Sequence, residues 1–429
     1  MKKVLFITYY WPPSGGAGVQ RSLKFVKYLP EYGVEPVVIT VNEEVATYPL
    51  VDETLRMEVD SKIRVIRTGS FEPLKVLSAV AGKKSVPYGG FANKGKESLV
   101  KKALRFIRGN FFIPDARIGW VKYAVKAASE IIEKENIKTV FISSPPHSSQ
   151  LIGLELKKKY SVRWIADMRD PWTDIYYYKE FMHTKSSAEK DRKLELQVLE
   201  SADALICVSE SIKRMFAAKS DHVGLSKISV IPNGFDESDF SRVQTESKQF
   251  AFTYVGTMAD NYKPEVLFKA IKRIIELLPE RSVRLKLVGS YGPEVQLLVE
   301  KTGLSDVTEF VSHVDHARAV QFMQEASALL LAIPDVPGNE GILTGKLFEY
   351  IGSGRPIVGV GPVNGDASEI LKKSRAGVMF DRENAEEIFQ YMLSLVKEGG
   401  SLNAKVESRE YINTFSRRVL TGELAKLVS

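Results

Sequence analysis

One short segment of this chain combines a cation, a carboxylate and the predicted start of a helix. It reads Gly-Ile-Leu-Thr-Gly-Lys-Leu-Phe-Glu-Tyr-Ile-Gly-Ser-Gly-Arg-Pro over residues 341–356. Thr344 can cap a short helix that Gly345 begins, and Lys346 and Glu349 then share one helical face. A lysine beside free helix N–H groups suits a diphosphate, and a carboxylate one turn later suits a ribose diol. The alternative is an ion pair between the two side chains on the helix surface.

Two more turns follow predicted strands and could bind an anion or a hydroxyl. The first reads Ser-Gly-Gly-Ala-Gly over residues 14–18, where Gly15 and Gly16 let a ligand approach the N–H groups of a helix start. This spacing differs from the Gly-x-Gly-x-x-Gly of dinucleotide sites, which disfavours a dehydrogenase. In the second turn, the imidazole of His147 could donate to a bound hydroxyl or phosphate. The alternatives are a tight turn that needs glycine and a histidine that caps the next helix.

A fourth turn concentrates charged and aromatic side chains after another apolar strand. Asp167, Arg169, Asp170 and Trp172 all occur within it. Carboxylates accept hydrogen bonds from sugar hydroxyls and an indole face packs on C–H surfaces, so the cluster suits a hydroxyl-rich ligand. The alternative is an internal ion pair between Arg169 and Asp170 that only fixes the loop.

These turns are positioned by short apolar runs that alternate with longer helical patterns. The alternation predicts βα units and parallel sheets, whose ligands bind beyond the carboxyl ends of the strands. We predict an α/β fold with two Rossmann-like, doubly wound parallel-sheet lobes. The predicted strands are 4–8, 36–41, 64–68, 139–143, 164–167, 204–208 and 228–231 in the first lobe, and 252–255, 284–288, 308–311, 328–333, 356–361 and 377–380 in the second.

Length and composition set further bounds. A chain of 429 residues is too long to fold around a single hydrophobic core. A polar segment after residue 236 separates predicted domain 1–236 from predicted domain 237–404, and a last helix is predicted over 405–429. The single cysteine, Cys207, lies in an apolar run, which excludes an intrachain disulfide or a zinc cluster. No run approaches the roughly 18 apolar residues of a membrane span. We therefore expect a cytoplasmic protein.

The net charge of +7 is unevenly distributed. Residues 98–109 can form a basic amphipathic helix, which favours peripheral contact with an anionic membrane leaflet. The alternative is a solvated cationic helix on the first lobe. Aromatic residues do not interleave with the basic cluster as in RNA-binding motifs, so nucleic acid is not an expected partner. The basic residues are Lys83, Lys84, Lys94, Lys96, Lys101, Lys102, Arg105 and Arg108, and the apolar ones are Leu99, Leu104, Phe106 and Ile107.

Taken in order, these segments resemble glycosyltransferase family 4, whose members are retaining GT-B enzymes that use nucleotide diphosphate sugars. The resemblance runs nearly from end to end of the chain. It implies an acceptor lobe followed by a donor lobe, an inter-lobe cleft, and a final helix that returns to the first lobe. The matching segments are 11–16, 144–147, 167–172, 230–234, 254–256, 286–289 and 346–356.

The resemblance also implies roles for individual residues. Lys263 would neutralise the leaving diphosphate, Glu349 would bind the ribose, and His147 and Asp170 would face the sugar and the acceptor. The candidate catalytic residues are Lys263, Lys346, His147 and Asp170. The expected donor contacts are Gly15, Gly16, Gly256, Gly289, Thr344, Gly345 and Glu349, and the expected acceptor or sugar contacts are Asp167, Arg169 and Trp172.

Two positions depart from the family pattern. Glu340 stands one residue before the first acid of the family's Glu-x7-Glu, and Thr257 stands where the family has an arginine. Neutralisation of the phosphates then depends on Lys263 and Lys346. A branch of the family has the same Lys-Leu-Phe-Glu-Tyr at this point, which agrees with that assignment.

The expected reaction is transfer of a hexose from a UDP- or GDP-linked donor to a hydroxyl of a sugar or lipid-linked acceptor, with retention. Assembly of a surface polysaccharide or lipopolysaccharide is the expected pathway. No Asp-x-Asp occurs in the chain, so we expect no cofactor and no essential divalent metal. Two alternatives stay open: another GT-B chemistry such as nucleotide-sugar epimerisation, and a non-catalytic basic protein that binds nucleic acid or membrane.

Overall fold

Thirteen parallel strands form in the part of the chain that the structure describes. The structure is a computed structural model, and it describes residues 1–72, 99–240, 249–399 and 406–429. Each strand agrees with one predicted run to within about two residues at either end. Most strands are buried, as expected when helices cover both faces, whereas the edge strands Arg64–Thr68 and Thr308–Val311 are partly exposed. The strands are β1 Lys2–Thr8, β2 Val34–Val41, β3 Arg64–Thr68, β4 Thr139–Ser144, β5 Arg163–Met168, β6 Ala204–Cys207, β7 Ile228–Val230, β8 Phe250–Val255, β9 Val283–Val288, β10 Thr308–Val311, β11 Ala328–Ala332, β12 Ile357–Val360 and β13 Gly377–Phe380.

The strands form two sheets of the doubly wound type. The first has the order β3-β2-β1-β4-β5-β6-β7, and the second has the order β10-β9-β8-β11-β12-β13. In both, the chain reverses direction across the sheet after its third strand, which creates a switch point between β1 and β4 and between β8 and β11. Ligands of such sheets bind at the carboxyl ends of the strands beside the switch point. The predicted α/β fold of two Rossmann-like lobes is confirmed.

The chain separates into two compact units, each with its own hydrophobic core. Unit 1 comprises residues 1–232 and 420–429, and unit 2 comprises residues 233–419. Helices cover both faces of each sheet. In unit 1 they are α1 Ala17–Tyr28, α2 Leu99–Phe111, α3 Val121–Glu135, α4 Gln150–Lys159, α5 Lys185–Ser201 and α6 Glu210–Ala217. In unit 2 they are α7 Glu265–Leu277, α8 Pro293–Lys301, α9 His316–Glu325, α10 Gly345–Ser353, α11 Asp366–Ser374, α12 Ala385–Glu398 and α13 Val406–Asn413.

One more helix, α14 Arg417–Val428, begins in unit 2 and continues into unit 1. Its apolar side chains Leu420, Leu424 and Val428 are buried in the same cluster as Val4 and Phe6 of β1. The core of unit 1 is therefore built from both ends of this sequence. Among the helices described, none has the length and apolar character to span a membrane.

Candidate functional site

The glycine turn after β1 contributes one open position beside a helix start. Gly16 precedes α1 with φ of 98°, and a Cβ on it would meet no atom within 4 Å. The N–H of Gly15, by contrast, donates to the carbonyl of Leu50 over 3.0 Å. Gly16 thus has the geometry predicted for a ligand-facing glycine, whereas the N–H of Gly15 is committed within the protein.

Two of the predicted sugar contacts in the turn after β5 are internal supports. The carboxylate of Asp167 is fully buried and accepts hydrogen bonds from Arg21 Nη2 (2.7 Å) and Ser143 Oγ (2.7 Å). Arg169 donates through Nε to the carbonyl of Ser144 (3.0 Å) and through Nη2 to that of Pro145 (3.0 Å). Asp167 is therefore withdrawn from any ligand. Arg169 holds the backbone that leads to His147, and it does not form the alternative ion pair with Asp170 in the described residues.

The other three predicted residues of this region line one cavity in unit 1. The cavity measures about 190 Å³, and His147, Asp170 and Trp172 all face it. The imidazole of His147 stacks on the Trp172 indole, with centroids 4.9 Å apart and an interplanar angle of 11°. Trp172 is only 2% exposed, so most of its ring packs in the interior and not on a ligand. Of these three side chains, the imidazole and the Asp170 carboxylate are therefore the two that can contact a ligand.

Burial shifts the pKa values of His147 and Asp170 in opposite directions. Burial lowers the pKa of His147 to about 4, and the charge of Arg169 adds to this effect, so the imidazole is neutral near pH 7. Its Nδ1 is buried and has no hydrogen-bond partner among the described residues. Burial also raises the pKa of Asp170. A neutral imidazole and a carboxylate of raised pKa in the same cavity suit hydrogen bonding to hydroxyl groups.

Several cavity residues were not predicted as site residues. Asp115 accepts from the N–H and the hydroxyl of Ser148, each over 2.8 Å, which ties the cavity wall to the turn that carries His147. Arg117 lies two residues further on and also lines the cavity. Their Pro-Asp-x-Arg pattern just before α3 is a turn signal that could have indicated them. Arg108, predicted as part of a membrane-facing helix, faces this cavity instead.

The candidate donor residues lie in unit 2 at the ends of β8 and β9. Gly256 and Gly289 have φ of 117° and 119°, a conformation that favours glycine. A Cβ on Gly256 would lie 2.9 Å from Cε of Lys346, and one on Gly289 would lie 2.5 Å from the carbonyl oxygen of Gly256. The absence of side chains therefore lets the two turns and the lysine pack together.

Lys346 occupies an aromatic environment at the first turn of α10. Its Nζ donates to the Thr257 carbonyl (3.0 Å) and to the Tyr254 hydroxyl, and it lies 4.3 Å and 5.3 Å from the ring centroids of Tyr254 and Tyr262. Burial lowers the pKa of Lys346 to about 7, against the opposing charge of Glu349. An anion beside this amine would restore its charge.

The start of α10 adds uncompensated polar groups. Thr344 is the N-cap residue, but its side chain forms no capping hydrogen bond, and its buried Oγ1 has no partner among the described residues. Gly345 begins the helix, so the first N–H groups lie beside a residue without a side chain. Free N–H groups and a lysine at a helix start form an anion site.

Glu349, one turn further along α10, is next to an arginine and a histidine. Its Oε1 lies 3.7 Å from Nη2 of Arg417 and 4.0 Å from Nδ1 of His316. His316 also contacts Asp239 at 3.0 Å, and although burial opposes it, this hydrogen bond raises the pKa of His316. The carboxylate remains partly exposed. No ion pair between Lys346 and Glu349 forms in the described residues, so that alternative is wrong.

Lys263 differs from Lys346 in its surroundings. Its side chain is 60% exposed, and its amine pairs with Asp335. Its φ of 45° is unusual for a residue other than glycine and sets the backbone just before α7. Lys346, and not Lys263, is therefore the cation that the fold holds against the glycine turns.

Two segments of the sequence match models of known protein families. Residues 89–239 match the model described as Glycosyltransferase Family 4, and residues 249–398 match the one described as Glycosyl transferases group 1. Together the two matches span well over half of the 429 residues. The chain belongs to the family 4 type of GT-B glycosyltransferases. A search of curated proteins found no match for this glycosyltransferase.

Solved structures share the fold of the glycosyltransferase at low sequence identity. HepE of Anabaena, solved with UDP and glucose, is 13% identical with a TM-score of 0.64, and the match covers 100% of this chain and 99% of HepE. Sucrose-phosphate synthase of Thermosynechococcus elongatus is 14% identical with a TM-score of 0.62, over 100% and 98%. WaaG, a glycosyltransferase involved in lipopolysaccharide biosynthesis, is 13% identical with a TM-score of 0.57, over 99% of each chain.

Within residues 1–72, 99–240, 249–399 and 406–429, no group of three or more His, Cys, Asp or Glu side chains is placed to hold a metal ion. The one cysteine, Cys207, is buried, and burial raises its pKa to about 12.

Proposed function

We propose that this glycosyltransferase transfers a hexose from a UDP- or GDP-linked sugar to a hydroxyl group of an acceptor. The observation that carries the proposal is the Lys346 amine, held between two tyrosine rings at the first turn of α10 and against Gly256. A cation, free helix N–H groups and a backbone without side chains are the features that bind a diphosphate. UDP bound to HepE, a protein of the same fold, makes UDP the first nucleotide to test.

The proposed role of Lys346 is to stabilise the leaving group. A nucleoside diphosphate gains negative charge as its bond to the anomeric carbon breaks, so a fixed cation stabilises the transition state more than the ground state. Lys263, exposed and paired with Asp335, would assist only if the phosphate displaces that carboxylate. Glu349 would accept hydrogen bonds from the ribose.

We propose that the sugar keeps its anomeric configuration. The acceptor hydroxyl would attack on the side of the leaving group, and the departing phosphate would help to take its proton, so no protein base is obligatory. His147, neutral because burial lowers its pKa to about 4, would hydrogen-bond a sugar hydroxyl, and Asp170 would accept from another. Proton NMR of the product formed from an α-linked donor tests this proposal, since a β-linked product would contradict it.

The reaction is proposed to need no divalent metal ion. The absence of Asp-x-Asp from the sequence motivates the proposal, because that pattern supplies carboxylates to a metal that bridges a diphosphate. Dialysis against EDTA should leave the rate of transfer unchanged. Loss of transfer that returns when Mg²⁺ or Mn²⁺ is added would contradict the proposal.

Cell-surface polysaccharide or lipopolysaccharide assembly is the proposed pathway, supported by the fold shared with WaaG. A membrane-bound acceptor fits a peripheral contact through α2, where Phe106 and Phe111 are 40% and 73% exposed. Lys83, Lys84, Lys94 and Lys96 of the predicted basic cluster lie outside the described residues. Flotation with anionic liposomes should show binding at low salt that the double change Phe106→Ser and Phe111→Ser abolishes. Met57→Ser, at another exposed apolar residue, is the control.

A thermal-shift panel of UDP, GDP, ADP and their hexoses tests the proposed donor. A ligand that binds only the folded protein raises its Tm, so the nucleotide of the natural donor should give the largest increase in Tm. Lys346→Met should abolish the shift and lower kcat/KM, whereas Lys301→Met, at an exposed lysine of α8, should change neither. If no nucleotide shifts the Tm, or Lys346→Met retains wild-type kcat/KM, the proposed role of this lysine is refuted.

A further inference from the structure

The cavity of unit 1 contains two guanidinium groups in addition to the groups already assigned. Arg108 from the last turn of α2 and Arg117 from the segment before α3 both line it. Arg117 is matched within the protein, because its Nη2 donates to the Thr47 carbonyl (2.7 Å) and its Nη1 lies 3.6 Å from Glu72. Of the two guanidinium groups, that of Arg117 is therefore bound within the protein.

Arg108 differs from Arg117 in its contacts. Its guanidinium lies 5.1 Å from the centroid of the Phe181 ring, and it forms no hydrogen bond or ion pair with the residues that the structure describes. Burial, followed by the positive charge of Arg117, lowers the pKa of Arg108, and the negative charge of Asp115 opposes this shift. A partly buried cation near a second cation is unfavourable unless an anion is supplied.

The backbone holds Arg108 in this position. The carbonyl of Gly109 is hydrogen-bonded to Nδ1 of His183 at 2.5 Å, and the side chain of Asn110 accepts from the N–H of Thr184 over 2.7 Å. A Cβ at Gly109 would lie 2.2 Å from the carbonyl oxygen of Phe181, so the two segments are in direct contact there. This close packing fixes the end of α2 at the cavity wall.

Among the described residues, no carboxylate of the cavity forms an ion pair or a hydrogen bond with Arg108, although the charge of Asp115 acts on it from a distance. Asp115 accepts from Ser148 and from the N–H of Arg117. Asp191 accepts from the Trp172 indole and the Tyr178 hydroxyl, each over 2.9 Å. The cavity thus combines a cation that has no ion pair among the described residues with aromatic walls and the hydrogen-bonding groups of His147 and Asp170.

We propose that Arg108 binds an anionic substituent of the acceptor, a phosphate ester or a sugar carboxylate. This inference rests on the proposed function, because it treats the cavity as the acceptor site. A guanidinium can donate two parallel hydrogen bonds to either group, and the adjacent aromatic rings can cover the sugar to which the group is attached. Arg108 thereby selects acidic acceptors over neutral ones.

The test compares three probes that share a hexose ring: glucose 6-phosphate, glucuronate and methyl glucoside. Their dissociation constants are measured by NMR titration for the wild type, Arg108→Gln, Arg108→Lys and Arg214→Gln. Arg214 is an exposed arginine of α6 and serves as the matched control. We expect at least one acidic probe to bind about tenfold or more tightly than methyl glucoside to the wild type, as two charge-assisted hydrogen bonds would provide.

The variants should separate charge recognition from stability. Arg108→Gln should lose the preference for the acidic probe, Arg108→Lys should keep part of it, and Arg214→Gln should keep it all. Equal binding of all three probes to the wild type, or an unchanged preference in Arg108→Gln, would overturn the inference. If glucose 6-phosphate binds more tightly than glucuronate, the recognised group is a phosphate, and the reverse order indicates a carboxylate. UDP binding and transfer to neutral acceptors test the proposed function independently, so the inference can fail while that function stands.

Discussion

The pH dependence of nucleotide binding tests the role of Lys346 most directly. Burial among the rings of Tyr254 and Tyr262 lowers the pKa of this amine to about 7. A bound diphosphate favours the charged form and raises the pKa, so UDP binding above pH 7 must be accompanied by proton uptake. Affinity should fall as pH rises.

The size of the effect follows from the shifted pKa. With a pKa near 7, about half of the amines are charged at pH 7 and about 1% at pH 9. If only the charged form binds the diphosphate, Kd for UDP rises up to ~50-fold over this range, which corresponds to ~2.3 kcal/mol. The phosphates of UDP contribute little to this change, because their last ionisation lies near pH ~6.

Isothermal titration calorimetry between about pH 7 and 9, in buffers of different ionisation enthalpy, measures both the affinity and the protons taken up. Lys346→Met should bind UDP weakly and with little pH dependence, because it keeps the apolar stem and removes the amine. Lys301→Met should behave as the wild type. A wild-type Kd that is constant over this range without proton uptake, or an unchanged pH profile in Lys346→Met, would refute the reasoning.

Three further predictions concern the framework of the two sites. Gly256→Ala places a side chain at φ 117° and 2.9 Å from Cε of Lys346; it should cost about 1–3 kcal/mol of stability and weaken UDP binding, and an unchanged Tm and Kd would count against it. Arg21→Met leaves the buried Asp167 carboxylate without its main partner; denaturant unfolding should show a loss of about 3–5 kcal/mol for unit 1, and an unchanged midpoint would contradict this. Burial raises the pKa of Asp191 to about 6, so its carboxyl stabilises the fold below about pH 4 and loses that contribution as pH rises through 6. Asp191→Asn should therefore flatten the fall of Tm between about pH 4 and 7, and equal slopes for both proteins would exclude this role.

The fold was predictable because its determinants are local. Strands such as Ala328–Ala332 and Ile357–Val360 are short apolar runs, and they form within about one residue of the predicted positions. Two doubly wound sheets follow from the alternation of such runs with helical patterns, since parallel neighbours need helical crossovers. The strands and the type of sheet can therefore be predicted without knowing which distant residues are in contact.

The site was predictable only in part, because its chemistry depends on partners that are remote in sequence. The position of Lys346 at a helix start predicts its role, but the rings of Tyr254 and Tyr262 that surround it come from other segments. Asp167 was misassigned because its partner, Arg21, lies 146 residues away. Arg108 was recognised as basic, yet only the packing of α2 against Phe181 turns it toward the cavity.

The path of α14 has a consequence for how the protein is made. Leu420, Leu424 and Val428 complete the core around β1, although the ribosome synthesises them after the whole of unit 2. During translation, part of the apolar core of unit 1 therefore stays exposed to solvent until unit 2 and α14 have left the ribosome. A fragment that stops at residue 232 would keep that exposed surface permanently and is expected to aggregate.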